Sequence, residues 1–144
     1  MIIAIDGGAA SGKSTVCTLL SQTLGYPYFN AGLVYRAITL WALRARRAAS
    51  PLGEESVLAA LAAIVVRVDG STTRIAMWGQ DVSDQLKSEE VTQLVPFLSS
   101  QEPVRRALTA LQREIASICE EERGGVIVDG RDATSVVWPD CEVR

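Results

Sequence analysis

The chain has 144 residues, of which 48% are hydrophobic and 22% are charged, and its formal net charge is −3. This length suits one domain with a real core, and the acidic balance argues against bulk electrostatic binding to nucleic acid or to a membrane surface. The sequence contains no histidine, which excludes Ser-His-Asp triads, Cys-His dyads and His-ligated metal sites.

Cysteine usage and hydropathy indicate an intracellular setting. Cys17, Cys119 and Cys141 are far apart and fit no metal-ligand spacing, so we interpret them as reduced core residues. No apolar run is long enough to span a bilayer, and the N-terminus lacks the pattern of a signal peptide. We therefore expect a cytoplasmic protein.

The first elements in chain order are a strand, a glycine-rich loop and a helix. The apolar run Ile2 to Ile5 leads through Asp6 into the loop, whose residues and first helical positions are Gly7, Gly8, Ala9, Ala10, Ser11, Gly12, Lys13, Ser14 and Thr15. The pattern G-x-x-x-x-G-K-S between a strand and a helix is the P-loop, whose backbone N–H groups surround a polyphosphate. Lys13 is expected to reach the β- and γ-phosphates and the Ser14 hydroxyl to ligate Mg²⁺. The sequence therefore predicts binding of a nucleoside triphosphate.

A second strand and a small antiparallel sheet follow. Tyr28-Phe29-Asn30 reads as a short strand, and a helix of about fifteen residues begins near Gly32, with Tyr35, Ile38, Trp41 and Ala45 on one face. A helix over residues 54–64 precedes two alternating segments, 66–69 and 73–78, with a third short strand at Val82. This pattern predicts a small antiparallel sheet inserted in an α/β chain.

The last third of the chain returns to helices and a buried strand. Pro96 and Pro103 divide residues 89–122 into at least two helices, and the second is expected to bury Val104, Leu108, Leu111, Ile115 and Ile118. Val126-Ile127-Val128 is an apolar run typical of a buried parallel strand, and Asp129-Gly130-Arg131-Asp132 follows at its carboxyl end, where open α/β sheets bind ligands.

Several arginines could neutralise phosphate charge near the P-loop. Arg36 lies in the helix after the second strand, Arg105 and Arg106 follow Pro103, and Arg131 follows the buried strand. Phosphoryl transfer requires several cations around donor and acceptor phosphates. A surface salt bridge is the alternative interpretation for each arginine.

The sequence resembles the cytidylate kinase family of nucleoside monophosphate kinases along nearly its whole length. The segments that carry the resemblance are Ile5-Asp6-Gly7 with the P-loop, Gly32-Leu33-Val34-Tyr35-Arg36, Asp81-Val82-Ser83, Ser88-Glu89-Glu90-Val91, Val104-Arg105, Asp129-Gly130-Arg131-Asp132 and Val136-Val137-Trp138-Pro139. The P-loop alone indicates only a superfamily, whereas D-G-R-D followed by V-V-(aromatic)-P is much more specific.

The resemblance implies a P-loop NTPase three-layer α/β fold with a parallel central sheet over residues 1–144, and a monophosphate-binding insert at residues 31–106. It implies transfer of the γ-phosphoryl group of ATP to CMP or dCMP by a monomer with Mg²⁺. The residues whose roles it implies are Lys13, Arg36 and Arg131 in catalysis, Tyr35, Arg36, Arg105, Arg131 and Asp132 in binding the monophosphate, and Asp6 and Asp129 near the Mg²⁺ at Ser14. For Asp6 and Asp129, capping a loop is the alternative.

The sequence departs from the family pattern at three places. Ala31 stands where relatives usually have Ser or Thr, and Pro96 stands where they have a base-contacting Ser. The chain also ends before the family's arginine-bearing lid and last strands, so we expect a fragment or a truncated relative. Two alternatives therefore stay open, which are a nucleotide-binding module without catalysis and a small-molecule P-loop kinase with another acceptor.

Overall fold

The computed structural model of the protein describes residues 1–6, 12–130 and 133–141. This part of the chain contains both helices and strands, as the sequence predicts. Its strands are β1 (Ile2–Ile5), β2 (Tyr28–Asn30), β3 (Ile64–Asp69), β4 (Thr72–Met77), β5 (Gln80–Asp81) and β6 (Val126–Asp129). Its α-helices are α1 (Lys13–Leu24), α2 (Gly32–Arg44), α3 (Glu54–Ala63), α4 (Glu89–Ser99) and α5 (Glu102–Arg123). A 3₁₀ turn covers Gln85–Lys87 and a π-helical turn covers Ala133–Val137.

The described residues divide between two compact units. Unit 1 comprises residues 1–32, 68–73 and 111–144, and unit 2 comprises residues 33–67 and 74–110. The use of residues 31–106 to bind a nucleoside monophosphate stays a prediction.

Unit 1 contains a parallel sheet in which β6 lies between β1 and β2. Ile3 pairs with Ile127 on one side of β6, and Phe29 pairs with Val128 on the other. All four residues of β6 are buried, which explains why this strand is a continuous apolar run rather than an alternating one. The predicted parallel sheet is confirmed, and its carboxyl edge positions the polar residues described below.

The core of unit 1 joins this sheet to α1. Cys17 packs against Ile3, Tyr28 and Ile127, and three partly buried side chains, those of Ile5, Leu20 and Tyr26, close the cluster. Gly125 precedes β6 at a point where a Cβ atom would lie 2.6 Å from Cε2 of Tyr26, so only glycine fits beside this ring.

The small antiparallel sheet has the strand order β3-β4-β5, which confirms the predicted sheet. The prediction placed its third strand at Val82, whereas β5 is Gln80–Asp81. Val82 still donates its N–H to the carbonyl of Ile75 at 2.9 Å, but it is fully buried and leads directly into the 3₁₀ turn.

The helices α4 and α5 confirm that residues 89–122 form at least two helices. One part of the core prediction is wrong, because Ile118 is 47% exposed. The buried face of α5 instead runs through Val104, Leu108, Gln112, Ala116 and Cys119. Ile118 lies one residue from Cys119, which rotates its side chain by about 100° around the helix and out of this stripe.

No helix in the ranges that the structure describes is both long enough and apolar enough to cross a membrane.

Candidate active site

The carboxyl edge of the parallel sheet carries two of the predicted acidic residues. Asp6 directly follows β1, and Asp129 is the last residue of β6. The helix α1 begins nearby in the sequence, at Lys13, after Gly12 adopts a left-handed φ of 76°. Glycine takes this conformation without steric cost, and the start of α1 has no side-chain cap. Lys13 is half-buried, and Ser14 and Thr15 are exposed. The predicted site residues Gly7, Gly8, Ala9, Ala10, Ser11, Arg131 and Asp132 lie outside the described residues.

Asp129 is a buried carboxylate, with only 2% of its surface exposed. The Tyr28 hydroxyl donates a hydrogen bond to its Oδ2 at 2.6 Å, and the Cys17 thiol donates to the same oxygen at 3.8 Å. Burial raises the pKa of Asp129, while the Tyr28 hydrogen bond and the charge of Lys13 act in the opposite direction. The hydrogen bond from Tyr28 and the positive charge of Lys13 both favour the ionised form of this carboxyl group.

The two donors keep their protons. Burial and the neighbouring Asp129 charge raise the pKa of Cys17 to about 12. Burial and the hydrogen bond to Asp129 likewise raise the pKa of Tyr28 well above its ordinary range. Both groups stay protonated at neutral pH, so they act on Asp129 only as hydrogen-bond donors.

Neither hydrogen-bond partner of Asp129 was predicted from the sequence. Cys17 lies four residues after Lys13, so its position on the same face of α1 was readable from the sequence. The role of Tyr28 could not be predicted, because it depends on the pairing of β2 with β6, which brings Tyr28 to an acid 101 positions later in the sequence.

Asp6 acts as a cap in this structure. Its Oδ1 accepts from the backbone N–H of Ala133 at 2.7 Å, and its Oδ2 accepts from the N–H of Thr134 at 3.1 Å and from the Thr134 hydroxyl. The carboxylate thereby fixes the π-helical turn that follows residues 131 and 132 in the sequence. This is the loop-capping alternative that the sequence left open for Asp6.

Ala31 packs against the end of β6 within unit 1. Its N–H donates to the carbonyl of Asp129 at 2.9 Å, and its Cβ lies 3.2 Å from the position of a Cβ added to Gly130. A glycine at position 130 thus allows the segment that leads to Arg131 to approach the start of α2 closely.

Unit 2 holds Arg36 in a fixed position. Its Nη1 donates to the Leu86 carbonyl at 2.8 Å and to the Thr92 hydroxyl at 2.9 Å, which joins α2 to the 3₁₀ turn and to α4. Tyr35 precedes it and is half-buried. Arg105 is exposed on α5, and Arg106 pairs with Glu102 at 3.3 Å.

No group of three or more potential Cys, Asp or Glu metal ligands occurs among residues 1–6, 12–130 and 133–141.

The sequence is similar to that of a known protein family. The family model described as "Cytidylate kinase" matches residues 3–144. The chain belongs to the cytidylate kinase family. The match confirms the resemblance and agrees with the P-loop α/β fold.

Individual cytidylate kinases show the same similarity. The chain is 39% identical over 147 residues to the cytidylate kinase of Citrifermentans bemidjiense, covering 100% of this chain and 60% of that protein. The cytidylate kinase of Salinibacter ruber is 38% identical over 144 residues, with 63% of its length covered. That of Streptomyces griseus subsp. griseus is 36% identical over 144 residues, with 61% covered. The chain thus spans about three fifths of the length of these cytidylate kinases.

Proposed function

We propose that the protein transfers the γ-phosphoryl group of ATP to CMP or dCMP, giving ADP and CDP or dCDP. The observation that carries this proposal is the buried Asp129 carboxylate, which Tyr28 and Cys17 orient at the carboxyl end of a parallel sheet in a member of the cytidylate kinase family. We also propose that it acts as a cytoplasmic monomer on these small-molecule substrates.

Binding of the triphosphate is assigned to unit 1. The uncapped start of α1 presents backbone N–H groups and the positive end of the helix dipole, which favour an anion. Lys13 adds a positive charge, and Gly7 to Thr15 supply the loop that surrounds the phosphates.

A magnesium ion fits the oxygen ligands available in unit 1. Ser14 would ligate it through the hydroxyl, and Asp129 would act on its bound waters, while Asp6 is already occupied by residues 133 and 134. When bound, the ion neutralises charge on the phosphate oxygens. Tyr28 and Cys17 hold the Asp129 carboxylate in one orientation, so it is ready for this role.

Binding of the acceptor is assigned to arginines. Arg36 and Arg131 would hold its phosphate, because a guanidinium group presents several donors in a plane that matches phosphate oxygens. The contacts of Arg36 with Leu86 and Thr92 fix its orientation before the acceptor arrives. Catalysis then rests on positioning and charge stabilisation rather than on a covalent intermediate.

Selection of the base is assigned to Arg105 and Asp132, with Tyr35 beside the acceptor phosphate. An Arg–Asp pair offers donors to O2 and N3 of cytosine and acceptors to its N4 amino group. Ala31 and Pro96 stand where the family resemblance implies hydroxyl side chains, so the test below compares several acceptors.

The test is a coupled ADP-release assay on this 144-residue chain with ATP, Mg²⁺ and one acceptor at a time, from CMP, dCMP, UMP and AMP. We expect turnover with CMP or dCMP that is lost in Lys13→Ala. Turnover only with another acceptor would assign a different small-molecule kinase. ATP binding without turnover for any acceptor would make this chain a nucleotide-binding module.

A further inference from the structure

The end of α2 contains a backbone conformation that its sequence does not favour. Arg47 donates its N–H to the carbonyl of Ala42 at 2.8 Å, and Arg46 donates to the carbonyl of Leu43 at 3.2 Å, which together form a Schellman motif. Arg46 occupies the left-handed position of this motif, with φ 57°. Glycine is the usual residue there, because a Cβ atom is strained in this region. The protein thus has an arginine at a position whose left-handed backbone conformation favours glycine.

A small cavity that is open to solvent lies beside this arginine within unit 2. Its volume is about 240 Å³, and its polar lining consists of Arg46, Arg47, Ser50 and Ser56. Residues 33–67 are all described, and no acidic residue of this segment lines the cavity. Its volume is below the ~300–1,000 Å³ of most pockets for larger small molecules. Cavity size and charge together suit a compact anion.

The hydrogen-bonding groups around the cavity suit a tetrahedral oxyanion. Nη1 of Arg47 donates to the Ser56 hydroxyl at 3.1 Å, which holds that guanidinium at the cavity wall. The adjacent helix α3 begins at Glu54, after Gly53, and its start has no side-chain cap. Two acidic residues, Glu54 and Glu55, lie in its first turn but outside the cavity lining, and Glu54 faces Arg106 at 3.6 Å.

We propose that this cavity binds a phosphate group, through Arg46 and Arg47 as the charged contacts and Ser50 and Ser56 as hydroxyl donors. Arginine pairs with phosphate oxygens through two parallel N–H donors, and no acidic residue lines the cavity beside Arg46 and Arg47. Inorganic phosphate, pyrophosphate and the phosphate end of a nucleotide share this chemistry. The site is separate from the residues assigned to catalysis.

The experiment is a titration of the ¹⁵N-labelled chain, followed by the amide shifts of Arg47, Ser50 and Ser56. Sodium phosphate, sodium pyrophosphate, CMP and ATP are added in separate series at constant ionic strength, with sodium chloride as the blank. We expect saturable shifts with at least one phosphate and none with chloride. Saturation by inorganic phosphate or pyrophosphate assigns a free anion, and saturation only by CMP or ATP assigns a nucleotide.

Two variants and a matched control complete the test. Arg46→Gly places the favoured residue in the Schellman motif, so the thermal midpoint should stay level or rise while phosphate affinity falls at least about tenfold. Arg47→Gln should weaken binding similarly. Arg44→Ala removes the same charge from a guanidinium that lies 5.3 Å from the Trp78 ring centroid and outside the cavity lining, and it should leave the affinity unchanged.

Three results would overturn the proposal. They are the absence of saturable shifts with every phosphate, an unchanged affinity in Arg46→Gly, and an equal loss in Arg44→Ala. The last of these would mean that diffuse charge at the end of α2, rather than the cavity, attracts the anion.

Discussion

At the scale of a single residue, the Cys17 thiol should make the free energy of unfolding depend on pH. Its pKa is raised from 9.0 to about 12 in the fold, so between these values the unfolded chain loses a proton that the folded chain retains. The unfolded state then binds fewer protons, and the free energy of unfolding falls as pH rises, by about 1.4 kcal/mol per unit for one group. Urea unfolding at pH 8.5, 9.5 and 10.0 should show this slope, and Cys17→Ala should reduce it. Cys141→Ala, at a half-buried position, is the control. Identical slopes in the parent chain and in Cys17→Ala would contradict the prediction.

The hydrogen bond from Tyr28 to Asp129 should also be measurable as stability. Tyr28→Phe removes a donor 2.6 Å from a buried carboxylate, which we expect to cost about 1.5–3 kcal/mol in the free energy of unfolding at pH 7. Chemical denaturation measures this cost, and Tyr26→Phe, in a partly buried ring of the same cluster, is the control.

The cost of Tyr28→Phe should shrink in acid. Burial already raises the pKa of Asp129 above 3.8, the value in the unfolded chain. At pH values between the two pKa values, the folded state therefore binds a proton that the unfolded state has lost. The free energy of unfolding falls as pH rises through this range. Loss of Tyr28 raises this pKa further, which widens the range. The difference between the variant and the parent should therefore be larger at pH 7 than near pH 4, and a difference independent of pH would contradict this account.

At the scale of the elements, Pro96 should reduce the stability of α4. This residue is exposed in the interior of the helix and cannot donate an N–H to the carbonyl of Thr92, four residues earlier. Pro96→Ala and Pro96→Ser both restore the donor, and each should stabilise the protein, by up to about 3 kcal/mol. Thermal unfolding measures this effect, and a fall in the midpoint for both variants would contradict it.

The same pair of variants separates stability from base recognition. Only Pro96→Ser supplies a hydroxyl at the position where the family resemblance implies a base-contacting Ser, so it alone should tighten CMP binding. Calorimetric titration of both variants with CMP measures the difference. Equal affinities would show that position 96 does not contact the base.

The elements also show where sequence reasoning succeeds. Three elements could be predicted from the sequence, because each is an apolar run or a helical periodicity next to glycine. They are the strands β1 and β6 and the helix α1. The exposure of Ile118 was not, because its apolar character fits the helical pattern while the polar Gln112 is buried in its place. The contacts of Arg36 with Leu86 and Thr92 depend on how three separate elements pack, which no local pattern encodes.

At the scale of the whole molecule, the two units should respond to different ligands. The proposed function assigns the triphosphate to unit 1, through Lys13, and much of the acceptor site to unit 2, through Tyr35, Arg36 and Arg105. A ligand that binds only the folded state suppresses local opening around its site, by about 2.7 kcal/mol at one hundred times its dissociation constant. ATP with Mg²⁺ should therefore slow amide exchange in α1 and β6, and CMP alone should slow it in α2 and α4.

Two variants make this experiment specific, with hydrogen–deuterium exchange followed by mass spectrometry. Lys13→Ala should abolish the protection by ATP and leave the protection by CMP, whereas Arg36→Ala should do the reverse. Arg36→Lys keeps the charge but not the planar pair of donors, so it should restore only part of the CMP effect. If CMP leaves exchange throughout residues 33–67 and 74–110 unchanged while ATP still protects α1, the assignment of residues 31–106 to the nucleoside monophosphate is wrong, although the triphosphate site would stand.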